Sequence, residues 1–325
     1  MRRPIILAVL CLFLAPPLTE AQLLTLTKPD PNVPPFGVQL KRAVVNIELL
    51  CTSGSGSVSA AGTGFLVAVT DTRLPKGQSF SYLVTNRHVA KCWDEQNKPQ
   101  EVQSETIRFN TIDGSSRRLG ANPAGWVFPA DDSVDLAAMP VTLPDGLLFD
   151  MISEDDFATK DYMTSNQIAE GSPIILSGYF YQFPGDIRFE AIVRQGILSM
   201  IPDEPIRTTT GKLGTVYLCD AHIFAGNSGS PVMVASSWLG IGGYHLLGVV
   251  SGYYYEDSAF NLQIATTVNG TERANSGVAM VVPADFLKAL LDQPELKGAR
   301  EAYIALHPIT PASIPAPAPT PAPTK

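Results

Sequence analysis

The chain has 325 residues, 45% of them hydrophobic, and a formal net charge of −8. That length allows one large core, or two small barrels sharing an interface. No basic stripe interrupts the acidic balance, which disfavours nucleic acid as a partner.

Arg2 and Arg3 precede an apolar run from Ile5 to Ala15 that is too short to span a bilayer. Thr19-Glu20-Ala21 then places small residues at −3 and −1 of a cleavage site, so residues 1–21 read as a secretory signal peptide. The expected location is therefore secreted or periplasmic, and no later stretch is apolar and long enough for a membrane span. Removing the leader takes away Cys11 and leaves Cys51, Cys92 and Cys219. Three thiols allow one internal bridge in an oxidising compartment, or three buried apolar residues.

Residues 22–39 hold several prolines and no period, and read as an extended lead-in. β-branched runs begin at Ala43 and predict strands over 43–50, 63–69, 81–85, 106–110 and 136–141. The Gly/Ser-rich stretch from Ser53 to Gly62 predicts a turn. Residues 146–171 are acidic and irregular and read as a connection with some helical turns. Strands resume over 174–179, 192–197, 215–219, 232–234, 246–251 and 279–282. Residues 283–291 have helical spacing with proline near the start. The remainder, 297–325, reads as a Pro/Ala/Thr-rich tail, and from Pro308 its composition cannot bury a core. Many short strands with late helix predict an all-β barrel or sandwich.

Ala225-Gly226-Asn227-Ser228-Gly229-Ser230-Pro231 is the stretch around which the rest is organised. Two glycines bracket a serine, letting the backbone turn sharply and bring N–H groups near a bound group. The same residues also make an ordinary polar turn. A serine nucleophile needs a base and donors for an oxyanion. His88 ends a strand and Asp135 precedes one; alone, either reads equally as a packing or turn-capping residue. Their order along the chain, histidine, aspartate, serine, is one of the known triad orders. Ser230 occupies the place where a nucleophile elbow needs glycine, so that alternative fails.

Gly62-Thr63-Gly64-Phe65-Leu66-Val67, Leu83-Val84-Thr85-Asn86-Arg87-His88-Val89, Val134-Asp135-Leu136-Ala137 and Gly226-Asn227-Ser228-Gly229-Ser230-Pro231 resemble the motifs of chymotrypsin-like (trypsin-like) serine peptidases, most closely the bacterial branch. The resemblance implies two antiparallel six-stranded β-barrels, over 40–145 and 172–296, with a C-terminal helix and a cleft between them. It implies His88, Asp135 and Ser228 as catalytic residues, with the backbone N–H groups of Gly226 and Ser228 as the oxyanion hole. It also implies Ser251 as a support for Asp135 near the substrate backbone, and a Cys51–Cys92 bridge bracing the histidine loop. His222 lines the specificity pocket or is simply packed. Tyr253 borders the cleft or is an ordinary strand residue. Protein or peptide substrates are expected, with no cofactor and no metal; the oligomeric state is not legible. Fewer than forty residues follow the closing helix, so the PDZ module of some relatives is not expected here.

Asn227 stands where activation-cleaved members have aspartate, so no pairing with a new N-terminal amine is expected. The leading expectation is a secreted serine endopeptidase. A catalytically silent binding domain and an esterase using Ser228 are the alternatives.

Overall fold

The computed structural model describes residues 32–307 apart from 55, 95, 97, 238–242 and 264–266. The expected signal peptide, residues 1–21, and the chain beyond His307 lie outside the described residues. The described residues from Phe36 to His307 belong to one compact unit. It opens with a helix, α1 (Phe36–Ala43), followed by strands β1 (Val44–Ser53), β2 (Gly56–Val69), β3 (Phe80–Thr85), β4 (Val102–Asn110), β5 (Ser116–Ala121) and β6 (Ala137–Pro140). After helix α2 (Lys160–Ser165) come β7 (Pro173–Tyr179), β8 (Ala191–Met200), β9 (Tyr217–Asp220), β10 (Pro231–Ala235), β11 (Tyr244–Gln263) and β12 (Thr267–Pro283). Two helices, α3 (Ala284–Leu291) and α4 (Pro294–Leu306), end the described chain.

The fold is all-β, with six long strands in each half. The second six close a barrel in the order β7-β8-β9-β12-β11-β10. The first six pair antiparallel in the order β5-β4-β1-β2-β3-β6, and Ile152–Ser153 adds a short parallel ladder on β2. The ends of that sheet meet through the chain leaving β5. There Val127 exchanges both backbone hydrogen bonds with Ala138 of β6, at 2.8 and 3.0 Å.

Period-two alternation assigns each apolar residue its face. In the first half Ile47, Leu49, Leu66 and Leu83 fill the interior of the sheet, while Phe65, Val67 and Val84 face outward. In the second, Leu176, Val232, Val234, Leu247 and Val250 fill the barrel, while Ile175, Met233, Leu246 and Val249 face outward. The outward sets form one buried cluster with Leu287, Leu290 and Leu291 of α3. Burial on both faces is why these strands read as continuous apolar runs rather than clean alternation.

Four expectations are corrected. The lead-in is not extended to residue 39, because Phe36–Ala43 is helical and buries Leu40 and Ala43. The Gly/Ser stretch is mostly strand: β2 starts at Gly56, paired with Ser53, and its first six residues are exposed, so small polar side chains suffice there. Residues 252–263 and 267–278, read without an element, belong to β11 and β12, paired from Gly248–Pro283 out to Gln263–Thr267. Residues 297–306 are not tail but most of α4. Pro294 at its first turn leaves no lost hydrogen bond. Buried Arg300 donates to the Tyr82 hydroxyl (3.0 Å) and the Leu291 carbonyl (2.8 Å), and Tyr303 meets the Phe80 ring edge-on at 5.6 Å. The C-terminal helix thus holds β3.

Candidate active site

His88 lies on the turn that ends β3. The Asn86 carbonyl accepts from the N–H groups of Val89 and Ala90, and the Asn86 amide donates to the Asp135 carbonyl at 2.8 Å. Cys51, near the end of β1, is bridged to Cys92 four residues past His88, with Cα atoms 5.6 Å apart. The bridge ties the histidine turn to the sheet, as the resemblance implies. Closing a loop of this length removes chain entropy from the unfolded state worth about 4 kcal/mol. The Phe128 ring packs against cations flanking the same turn, with the Lys91 ammonium 4.1 Å and the Arg87 guanidinium 5.4 Å from its centre.

Asp135 is buried and its carboxylate collects donors. Oδ1 accepts from the His88 backbone N–H at 3.1 Å. Oδ2 lies 2.6 Å from His88 Nδ1 and 3.3 Å from the Thr209 hydroxyl. Burial alone would push this carboxyl up; the His88 charge and the hydrogen bonds from His88 and Thr209 outweigh it and hold it below the usual carboxylate range. For His88 burial opposes the charged ring, but the Asp135 charge and hydrogen bond prevail and raise its pKa. The two groups therefore form a charge-assisted pair in which Asp135 fixes the ring's tautomer and tilt.

Ser228 is half-buried on the loop before β10. Gly226 and Gly229 both have positive φ, +93° and +85°, which a side chain would strain. A Cβ on Gly229 would also fall 2.0 Å from the Thr63 carbonyl and 2.4 Å from the Thr85 hydroxyl. The loop is held from its own half by the Gly229 N–H donating to the Val250 carbonyl at 2.9 Å, and from the first half by Thr63 of β2. Its N–H donates to the Ser228 carbonyl (2.9 Å) and its hydroxyl to the Gly226 carbonyl (2.7 Å), while its carbonyl accepts from Thr85 (2.6 Å). Gly229 thus abuts Thr85, three residues before His88. The Ser228 hydroxyl forms no hydrogen bond with His88. The backbone N–H groups of Gly226 and Ser228 donate to no acceptor among the described residues.

Asn227 is fully buried and uses both ends of its amide. Oδ1 accepts from the Phe224 N–H at 2.9 Å and Nδ2 donates to the Tyr179 carbonyl at 2.8 Å. Neither bond requires a charge.

The three other sequence-selected residues fall differently. His222 is exposed, edge-on to Phe224 at 5.2 Å, rather than packed in a core. Tyr253 is half-buried against Tyr255, with ring centres 4.8 Å apart. The Tyr255 hydrogen bond, then burial, push its hydroxyl up to about 12. Ser251 is buried, and among the described residues its hydroxyl has no hydrogen-bond partner, so the expected contact with Asp135 is not made; the hydroxyl that reaches Asp135 is that of Thr209. Sequence reading missed Thr209 and the clamp made by Thr63. The Gly-Thr-Gly motif carried a signal for the second.

A hollow of about 500 Å³ is lined by Phe180, Phe183, Ile187 and Ile192, and the Phe180 ring lies 6.1 Å from Phe224 of the serine loop. Among the described residues no three His, Cys, Asp or Glu side chains gather to hold a metal, and no helix is long and apolar enough to cross a membrane.

No curated protein matches the chain. The solved structure of Deg5 is 21% identical, with 84% of this chain and 93% of that one covered and a TM-score of 0.44. Residues 62–242, more than half of the chain, match the model of the trypsin-like peptidase domain. They include the Thr63 clamp, the His88 turn, Asp135 and the Ser228 loop, and the chain belongs to the trypsin-like peptidase family.

Proposed function

We propose that the chain is a serine endopeptidase in which Ser228 is the nucleophile, His88 the general base and acid, and Asp135 the orienting carboxylate. The observation that carries this reading is the 2.6 Å pair between His88 Nδ1 and Asp135 Oδ2. It leaves Nε2 of the ring as the atom able to take the serine proton.

Ser228 Oγ attacks the scissile carbonyl while His88 Nε2 removes its proton, and Asp135 stabilises the imidazolium that results. The oxyanion points at the N–H groups of Gly226 and Ser228, which have no competing acceptor. One such donor is worth on the order of 3 kcal/mol in the transition state. His88 then hands its proton to the leaving amine. Water repeats the sequence on the acyl-enzyme and frees Ser228. The serine–histidine hydrogen bond forms when substrate is bound, as is common for catalytic contacts that are long in the empty site. Because Asn227 is satisfied by backbone groups, the loop needs no new N-terminal amine to take its active shape.

The enzyme acts outside the cytoplasm. The leader-like residues 1–21 support this, and so does the Cys51–Cys92 bridge, which persists in oxidising compartments. Labelling with a fluorophosphonate, together with peptide-library cleavage, tests the assignment. Both signals are expected in the wild type and neither in Ser228→Ala. A folded wild type that neither labels nor cleaves refutes the enzyme reading and leaves a binding domain.

A further inference from the structure

Between β8 and β9 the chain makes a small hairpin, Ile206–Arg207 paired with Leu213–Gly214. It emerges from the second barrel but lies against the first sheet's Asp131–Asp135 segment. Lys212 Nζ is 3.0 Å from Asp132 Oδ2, and a Cβ on Gly214 would fall 2.9 Å from Ser133 Oγ. The tip is tied internally: buried Thr208 accepts and donates across it, with its N–H 2.8 Å from the Lys212 carbonyl. The Tyr254 hydroxyl holds the stem by donating to the Arg207 carbonyl at 3.2 Å. A Cβ on Gly252 would fall 2.6 Å from Thr209 Cγ2, so glycine there makes room for that methyl. The result is a hydroxyl delivered to Asp135 Oδ2 at 3.3 Å, on the same oxygen that faces His88.

We propose that Thr209 is the positioning residue for Asp135. The second half of the molecule supplies it, and it fixes the rotamer of the carboxylate that orients His88. This rests on the serine-peptidase reading above. Two observations argue for it together. The Thr209 hydroxyl is the only side-chain donor other than His88 to that carboxylate among the described residues. Ser251, which the sequence motif suggests for the task, has a buried hydroxyl bonded to nothing. The charged groups on the elements packed against Asp135 are His88 on the β3 turn, Arg87 and Lys212, which both pair with Asp132 of its own segment, Asp131, and Arg207 of the hairpin, which donates to the Gly211 carbonyl. Of these only His88 bonds the carboxylate itself.

Thr209→Val keeps the shape and removes the hydroxyl; Thr209→Ser keeps the hydroxyl and removes the methyl. In the full chain Thr209→Val is expected to lose about tenfold in kcat with KM within roughly twofold. The carboxylate, having lost a competing donor, attracts the imidazolium more strongly. The acid limb of kcat/KM therefore moves to higher pH, and the downfield proton resonance of His88 Nδ1–H shifts. Thr209→Ser restores all three, and Ser251→Ala moves the acid limb less than Thr209→Val does. Unchanged rate, limb and proton resonance in a folded Thr209→Val overturn the proposal, as does an equal or larger limb shift in Ser251→Ala. Should the valine variant not fold, a Thr209→Ser profile like that of Thr209→Ala overturns it as well. Fluorophosphonate labelling of the wild type, lost in Ser228→Ala, separates these outcomes from failure of the peptidase reading. The proton resonance reports the Thr209–Asp135 contact even without turnover.

Discussion

Glu105, on β4, is a buried carboxyl (3% exposed) whose two oxygens both lie 3.1 Å from the Trp126 indole nitrogen. Burial drives its pKa from 4.5 up to about 7, and the indole donor only partly offsets this. A shift of that size corresponds to about 3 kcal/mol by linkage. The sign follows from proton uptake. Below the unfolded value Glu105 is neutral in both states and costs nothing. As pH rises from about 4.5 to about 7 the unfolded chain ionises first, and folding loses up to about 3 kcal/mol, a deficit that persists above pH 7. Glu105→Gln stays neutral and keeps an acceptor for the indole, although its added N–H groups lack partners, which costs about 1–2 kcal/mol at every pH. Urea unfolding at pH 5 and pH 8, followed by tryptophan fluorescence, measures the difference. The variant is expected to gain roughly 2–3 kcal/mol relative to wild type between the two pH values. An identical stability difference at both would refute the claim that a buried, titrating carboxyl sits beneath Trp126.

Cys51→Ser with Cys92→Ser is expected to lose about 4 kcal/mol of stability, read from urea midpoints with and without reductant; no change on reduction counters the bridge's bracing role. Asn227→Asp replaces the donor to the Tyr179 carbonyl with an acceptor, so a loss of about 1–3 kcal/mol is expected, together with slower fluorophosphonate labelling. Arg300→Leu strips β3 of its anchor to α4 and should raise amide exchange in Pro294–Leu306 ahead of the barrel strands. Peptidase activity should fall as His88 protonates, with the acid limb above the free-imidazole value of 6.5 because Asp135 favours the charged ring. A limb below 6.5 would contradict that pairing.

Much of the architecture is legible from local pattern. β-branched runs mark most of the long strands, and the helical spacing after Pro283 marks α3. The Ser228 loop shows itself because Gly226 and Gly229 need positive φ that other residues avoid. His88 and Asp135 come together as order along the chain implies, and Cys51 meets Cys92. What escaped depends on contacts distant in sequence. Ser251 has the right local motif, yet Thr209 reaches Asp135 because a hairpin between β8 and β9 crosses from the other half. The inner ends of β11 and β12 are plain, but the outer rungs, from Tyr255–Asn275 to Gln263–Thr267, carry no clear apolar period in the sequence. α4 had its own signal in Pro294, Leu296 and Arg300, and was masked by the proline-rich composition that follows it. His222, left open by its motif position between lining a pocket and packing, is exposed beside the buried Ile223.

The Thr63 clamp has a practical corollary. The peptide that carries Ser228 takes part of its shape from a residue more than a hundred and fifty positions earlier, so the barrel bearing the alcohol does not shape it unaided. Cut in the irregular connection and expressed as two polypeptides, the molecule would behave as a complementation pair. Each fragment alone would be inert towards an acylating reagent, and reactivity would return only on reassociation, which makes the chain a natural template for a split reporter.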